Sequence, residues 1–163
     1  MFPDDIESLA RKVIETAAAR GLMVAAAESC TGGLVAAALT AVAGSSAVVE
    51  RGFVTYSNAA KSELLGIPAA LIEGHGAVSE AVARAMAEGA LARSAAQVSV
   101  AVTGVAGPGG GSTDKPVGLV HFAAAGPGGL IHVERRFGDI GREAVRLESV
   151  RTALKLLLDR IGA

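Results

Sequence analysis

The sequence predicts an α/β domain, a three-layer α/β/α sandwich around a mixed, mostly parallel sheet. Three observations predict it. Short apolar runs rich in Val and Ala alternate with segments of helical periodicity. The last two runs are joined by Gly126-Pro-Gly-Gly129, which reads as a hairpin turn. The chain has 163 residues, 51% hydrophobic and 19% charged, enough for one core that buries about 68–70% of the unfolded surface. No repeat and no linker interrupts it, so residues 1–163 are read as one domain.

Taken in order, Asp4 or Asp5 caps a first helix carrying Ile6, Leu9, Ala10, Val13, Ile14 and Ala17 at helical spacing, and Gly21 ends it. Leu22–Ala27 reads as a short buried strand. Glu28-Ser-Cys-Thr-Gly-Gly33 is a turn that opens a helix over Leu34–Leu39, and Gly44-Ser-Ser46 breaks it before a strand over Val48–Thr55. Asn58 caps a short helix over Ala59–Leu65, stopped by Gly66 and Pro68. Ser79 caps a longer one to Arg93, with Val82, Ala83, Met86 and Ala90 inward. Gln97–Thr103 is the clearest buried strand. After a glycine-rich stretch, Leu119–Ala125 and Leu130–Phe137 form the hairpin. The last helix, Arg142–Arg160, points Leu147, Val150, Leu154, Leu157 and Ile161 into the core.

Composition removes several function classes. A net charge of −1 and no basic patch with interleaved aromatics leave no footprint for nucleic acid. The apolar runs, such as Gly33–Ala43, are too short and too punctuated to span a membrane. The amino terminus lacks the basic region of a signal peptide. With one cysteine, Cys30, an intrachain disulfide is excluded, and a cytoplasmic setting is expected. His75, His121 and His132 fall in separate elements without ligand spacing, so no metal is predicted.

Three polar clusters each follow a strand, where open α/β sheets place ligands. In Glu28-Ser-Cys-Thr-Gly-Gly33, a small nucleophile at a strand-to-helix turn stands clear of the sheet, and nearby free amides can face an oxyanion. Read alone, the motif favours a helix cap by Ser29 or Thr31 over a nucleophile. The neighbouring Ser29 and Cys30 are close to even as attacking groups on pattern alone. The second cluster, Thr55-Tyr-Ser-Asn58 with Lys61, offers a base only if Lys61 is neutral part of the time. An ordinary lysine is neutral about once in 2,500 at pH 7. Lowering its pKa by about three units corresponds to roughly 4 kcal/mol and needs desolvation or a nearby cation. Ala59-Ala60 and Leu64-Leu65 make burial plausible, and Tyr56 is a candidate to orient Lys61 or relay its proton; the bland reading is a solvated lysine. The third cluster, Thr103-Gly-Val-Ala-Gly-Pro-Gly-Gly-Gly-Ser-Thr-Asp-Lys-Pro-Val-Gly118, exposes amides suited to phosphate. It lacks the P-loop spacing. Arg142 and Arg146, one helical turn apart, are candidates for an anionic group.

Together these segments resemble the CinA carboxy-terminal domain family, whose stand-alone members include nicotinamide mononucleotide deamidases. The matching text is Ala27-Glu-Ser-Cys-Thr-Gly-Gly33, Gly44-Ser-Ser46, Gly52-Phe-Val-Thr-Tyr-Ser-Asn58 with Lys61, and Leu64-Leu-Gly66. It continues through Gly76-Ala-Val-Ser79, Thr103-Gly-Val-Ala-Gly-Pro-Gly109, Lys115-Pro-Val-Gly118 and the arginines of the last helix. Before that helix the chain reads Phe137-Gly-Asp-Ile-Gly-Arg142 where a Gly-Asp-Arg type sequence is the family pattern, and the arginine aligns with Arg142.

The resemblance implies a Ser–Lys amidohydrolase with no cofactor and no metal: Ser29 as nucleophile, Lys61 as base, Tyr56 and Thr103 lining the site. Amides of the Ser29–Thr31 turn and the Thr103–Gly104 segment would hold the oxyanion. Cys30, Thr31, Gly32, Gly104, Gly107, Arg142 and Arg146 are the candidates for binding a small-molecule nucleotide. Larger members carry an additional amino-terminal domain, and this chain is expected to lack it. A homodimer is what the family suggests. Two other readings remain: a nucleotide-binding or regulatory module without catalysis, and an amidase for a different aryl or nucleotide amide.

Overall fold

The computed structural model describes residues Met1–Ala163. Three strands, β1 (Val24–Glu28), β2 (Val49–Val54) and β3 (Val98–Gly104), run parallel, with β1 between the other two. Antiparallel β4 (Leu119–Gly126) joins β3, and β5 (Gly129–Arg136) joins β4 through the two-residue turn Pro127-Gly128. The sheet order is β2-β1-β3-β4-β5, so only β4 opposes the common strand direction. The mixed, mostly parallel sheet read from the sequence is what the chain builds.

Two helical layers cover it. On one face lie α1 (Asp4–Ala19), α2 (Leu34–Thr40) and α6 (Arg142–Gly162), around a core of 26 buried residues. On the other lie α3 (Asn58–Leu65), α4 (Ala69–His75) and α5 (Glu80–Ala92), over a smaller core of 13. The period-2 pattern of β3 explains the asymmetry. Val98, Val100 and Val102 enter the larger core, and full burial of each contributes about 1.5–3 kcal/mol. The alternate positions Ser99, Ala101 and Thr103 are small and face the α5 side. There the Ser99 hydroxyl donates to the Ala87 carbonyl at 2.8 Å, holding α5 close to the sheet. Within α5, Gly89 lies against α3, where an added methyl would collide with the Leu65 carbonyl.

Several boundaries differ from the sequence reading, for local reasons. Helix α1 starts after Pro3, and neither Asp4 nor Asp5 caps it through its side chain; both lie inside the first turn, where acidic groups favour the helix dipole. Its end takes up Leu22, whose amide reaches the Ala17 carbonyl at 3.0 Å while Gly21 donates to Ala18 with a φ of 64°. The first strand therefore begins at Val24 and extends to Glu28. Ser57, not Asn58, caps α3, accepting from the Ala60 amide at 3.0 Å. Helix α4 was not foreseen, because Gly66 and Pro68 were read only as a stop. Gly66 ends α3, but Pro68 also precedes the first turn of α4, where the absent N–H costs nothing.

Candidate active site

The carboxyl ends of β1, β2 and β3 converge. β1 and β3 are neighbours whose onward connections part, β1 continuing through α2 to β2 on one side and β3 through the glycine-rich loop to β4 on the other. Such a divergence opens a crevice. A cavity of about 300 Å³ occupies it, lined by Ser29, Cys30, Tyr56, Asn58, Lys61, Ala77, Val78, Thr103, Arg142 and the loop from Gly104 to Gly110. It belongs to the size class of small-molecule sites.

Lys61 is the largest fully buried side chain, 1% exposed, on the inner face of α3. Its Nζ lies 3.0 Å from Ser29 Oγ, 2.9 Å from the Thr55 carbonyl and 3.4 Å from the Tyr56 carbonyl. Burial lowers its pKa below the ordinary lysine range, since charging an amine in a dry site is disfavoured. No carboxylate pairs with it. Two carbonyls suit the two N–H groups of a neutral amine, and the lone pair is then left for the Ser29 hydroxyl.

Cys30 is divided from Ser29 by its surroundings. It is 6% exposed and packs into the larger core, and burial pushes its thiol up to about 12. A thiol in that state is protonated at neutral pH and a poor nucleophile.

The turn that presents Ser29 is held by groups distant in sequence. Glu28, 1% exposed, accepts the Val35 and Ala36 amides at 2.8 and 3.0 Å, capping α2 with a buried carboxylate. The Ser29 amide donates to the Val102 carbonyl at 2.9 Å, so it is not available to an oxyanion; this corrects its expected role. The Cys30 and Thr31 amides have no acceptor within the fold. Thr103, 1% exposed, donates its hydroxyl to the Ala77 carbonyl at 2.8 Å and so ties down the opposite cavity wall.

The two arginines of α6 part company. Arg142 stands at the cavity mouth, donating to the Gly107 carbonyl at 2.7 Å and to the Tyr56 hydroxyl at 3.2 Å. Arg146, one turn on, is not in the cavity wall. It donates to the carbonyls of Cys30 and Thr31 at 3.2 and 3.1 Å, beneath the nucleophile turn. Of the seven binding candidates, Cys30, Gly104, Gly107 and Arg142 line the cavity. Thr31, fully buried, and Gly32, whose φ of 58° turns the chain over Arg146, do not. Tyr56 lines the cavity, but it meets Lys61 through its carbonyl and not its hydroxyl; the residue is 62% exposed and the hydroxyl accepts from Arg142.

Glu28, Asn58, Ala77 and Val78 lie in segments the sequence marks but are not among its candidate site residues. Only Glu28 carried a signal, as an acidic residue closing an otherwise apolar strand. The sequence reading also left the histidines apart, whereas the β4–β5 register brings His121 Nδ1 within 2.9 Å of His132 Nε2. Glu134 and Glu80 lie 3.7 and 3.6 Å from the outer ring nitrogens.

With this geometry in view, a family model described as CinA C-terminal domain matches residues 6–161. A CinA-like protein from Synechococcus sp. (strain RCC307) is 55% identical over 157 residues, covering 96% of this chain and 38% of that protein. Another, from Anaeromyxobacter dehalogenans (strain 2CP-C), is 52% identical over 158 residues with the same coverage. The chain thus spans 38% of the length of these curated relatives. Solved structures match along their whole length. The competence/damage inducible protein CihA from Agrobacterium tumefaciens is 57% identical with a TM-score of 0.97, covering 100% of this chain and 99% of that one. The competence damage-inducible protein A from Klebsiella pneumoniae subsp. pneumoniae MGH 78578 is 38% identical with a TM-score of 0.91, covering 96% and 97%.

Proposed function

The chain belongs to the CinA C-terminal domain family, and from that premise we propose that it is an amidohydrolase converting nicotinamide mononucleotide to nicotinate mononucleotide and ammonia. The observation that carries the reading is the 3.0 Å contact between Ser29 Oγ and a buried Lys61 Nζ whose other partners are carbonyls. A pure binding module has no use for a desolvated amine held against a hydroxyl.

In the reaction, neutral Lys61 takes the hydroxyl proton of Ser29 as Oγ attacks the carboxamide carbon. The tetrahedral oxyanion is met by the free amide of Cys30, which lines the cavity. Protonated Lys61 returns its proton to the departing nitrogen, which leaves as ammonia, and the acyl group remains as an ester on Ser29. Water then attacks the ester with Lys61 again as base, releasing the carboxylate and restoring the hydroxyl. No metal or organic cofactor is needed at any step. The phosphate is placed at the cavity mouth, on Arg142 and the amides of the Gly107–Gly110 stretch. No helix is long and apolar enough to cross a membrane, and a cytoplasmic setting fits a substrate of this class.

The test is ammonia release from a panel of amides: nicotinamide, its riboside, its mononucleotide and glutamine. Release that is fastest from the mononucleotide supports the reading. Release from a different amide moves the substrate, and release from none removes the enzyme.

A further inference from the structure

We infer that Arg146 is a positioning residue for the oxyanion site, acting on the nucleophile turn from outside the substrate cavity; the inference rests on the acyl-transfer reading of Ser29. Arg146 reaches the turn from α6, more than a hundred residues along the chain, and donates to two consecutive carbonyls, Cys30 at 3.2 Å and Thr31 at 3.1 Å. Its stem lines a separate surface depression with Phe2, Leu34 and Leu147. The guanidinium is therefore directed at backbone rather than at a ligand.

Peptide geometry gives this contact a consequence. In a trans planar peptide the C=O and N–H point in opposite directions. Holding the Thr31 carbonyl, which the Leu34 amide also reaches at 3.1 Å, turns the Gly32 N–H to the other side, where it closes back on the Ser29 carbonyl at 3.0 Å. With that carbonyl taken, the Cys30 N–H of the same peptide points the other way, and Cys30 lines the cavity. Glu28 anchors the far end by taking the Val35 and Ala36 amides. A carboxylate and a guanidinium thus fix the two sides of a turn whose free donor at the cavity is the Cys30 amide. Only a guanidinium carries a rigid fork of donors able to hold two adjacent carbonyls at once; a lysine ammonium is a point donor.

The experiment compares the full chain with Arg146→Met and Arg146→Lys, using two readouts. One is steady-state ammonia release from nicotinamide mononucleotide. The other is the rate at which a fluorophosphonate labels Ser29, which does not depend on the natural substrate. The expected result for Arg146→Met is a kcat lower by roughly 10- to 100-fold, somewhat less than removal of an oxyanion donor itself. KM should stay within about twofold, since no substrate contact is lost. Labelling should slow in parallel, and Arg146→Lys should fall between. If Arg146→Met does not fold, the kcat and labelling rate of Arg146→Lys decide alone. A raised KM with intact kcat would make Arg146 a substrate ligand and overturn the inference. A lowered melting temperature with unchanged labelling of the folded protein would overturn it as well, leaving a merely structural arginine. Wild-type protein that labels on Ser29 but releases no ammonia defeats the substrate reading alone, and the labelling rates still judge Arg146. Wild-type protein that does neither overturns both.

Discussion

Two pairs of nitrogen bases and partners, one buried and one partly so, invite comparison. Lys61 meets Ser29 at 3.0 Å where the parallel strands end, and His121 meets His132 at 2.9 Å on the antiparallel hairpin. Burial lowers the pKa of all three basic groups. The neighbours differ. Around Lys61 the hydrogen-bond partners are a hydroxyl and two carbonyls, with no carboxylate among them. Around the histidines, Glu80 and Glu134 work against burial, while Arg84 and Lys115 work with it. In the histidine pair each inner nitrogen is occupied by the other ring, and neither ring lines the cavity. Burial weakens a base in both places. It yields a reagent only where the lone pair faces a hydroxyl that opens onto a ligand-sized space.

The comparison breaks most sharply at the dyad. Ser29→Ala and Lys61→Met are each expected to lower turnover by about 10³–10⁴ or more, with the double variant little worse, as for groups acting as one unit. Lys61→Met should at the same time raise the melting temperature. An amine with a depressed pKa binds fewer protons folded than unfolded, so its stability contribution is lost as pH falls below the ordinary 10.5, and neutral pH lies in the costly range. Each kcal/mol of gain would appear as roughly 2–4 °C in a chain of this size. Full turnover, or a lower melting temperature, would show that the amine is neither reactive nor destabilising.

Next in size is Arg142→Ala, which should cost the mononucleotide about 1.5–3 kcal/mol in kcat/KM and the riboside much less. Equal losses would return Arg142 to a tether for Tyr56 and Gly107. The pH profile follows. Since Lys61 must be neutral to act, kcat/KM should fall by up to about tenfold for each pH unit below its folded pKa. A flat profile across the acid side would rule Lys61 out as the base.

The histidine pair should appear in stability and not in rate. Both pKa values lie below the ordinary 6.5, so the pair's contribution is present above that value and is lost as pH falls beneath it. Melting curves between about pH 7.5 and 5 should therefore slope more steeply for wild type than for His132→Gln, with kcat unchanged at neutral pH. The smallest effect is expected at Cys30→Ala. A buried thiol pushed up to about 12 is protonated at neutral pH, so activity should remain within about threefold. Iodoacetamide should react slowly, and acyl trapping on Cys30 would reverse the assignment.

How much of this was legible in the sequence depended on whether the deciding contact was local. The layers were legible because Val98, Val100 and Val102 alternate with Ser99, Ala101 and Thr103, a period that a strand between two helical layers requires. Lys61 stood out because alanines and leucines flank it. The arginines were not separable, since Arg142 and Arg146 share one helix face and differ only in what α6 passes over at each turn. The histidine pair was hidden because it depends on the hairpin register, which sets His121 opposite Glu134 and leaves His132 on the diagonal. Ser29 and Cys30 are told apart by their surroundings, Ser29 beside Lys61 and Cys30 packed into the core, which no local pattern carries.

The close contact at Gly89 has a bearing on how this sequence can drift. Lys61 rides on α3, and α3 rests on α5 where residue 89 has no side chain. A single added methyl would push the two helices apart and carry the base away from its serine. Position 89 thus bears on the contact between Ser29 and Lys61 from outside the cavity.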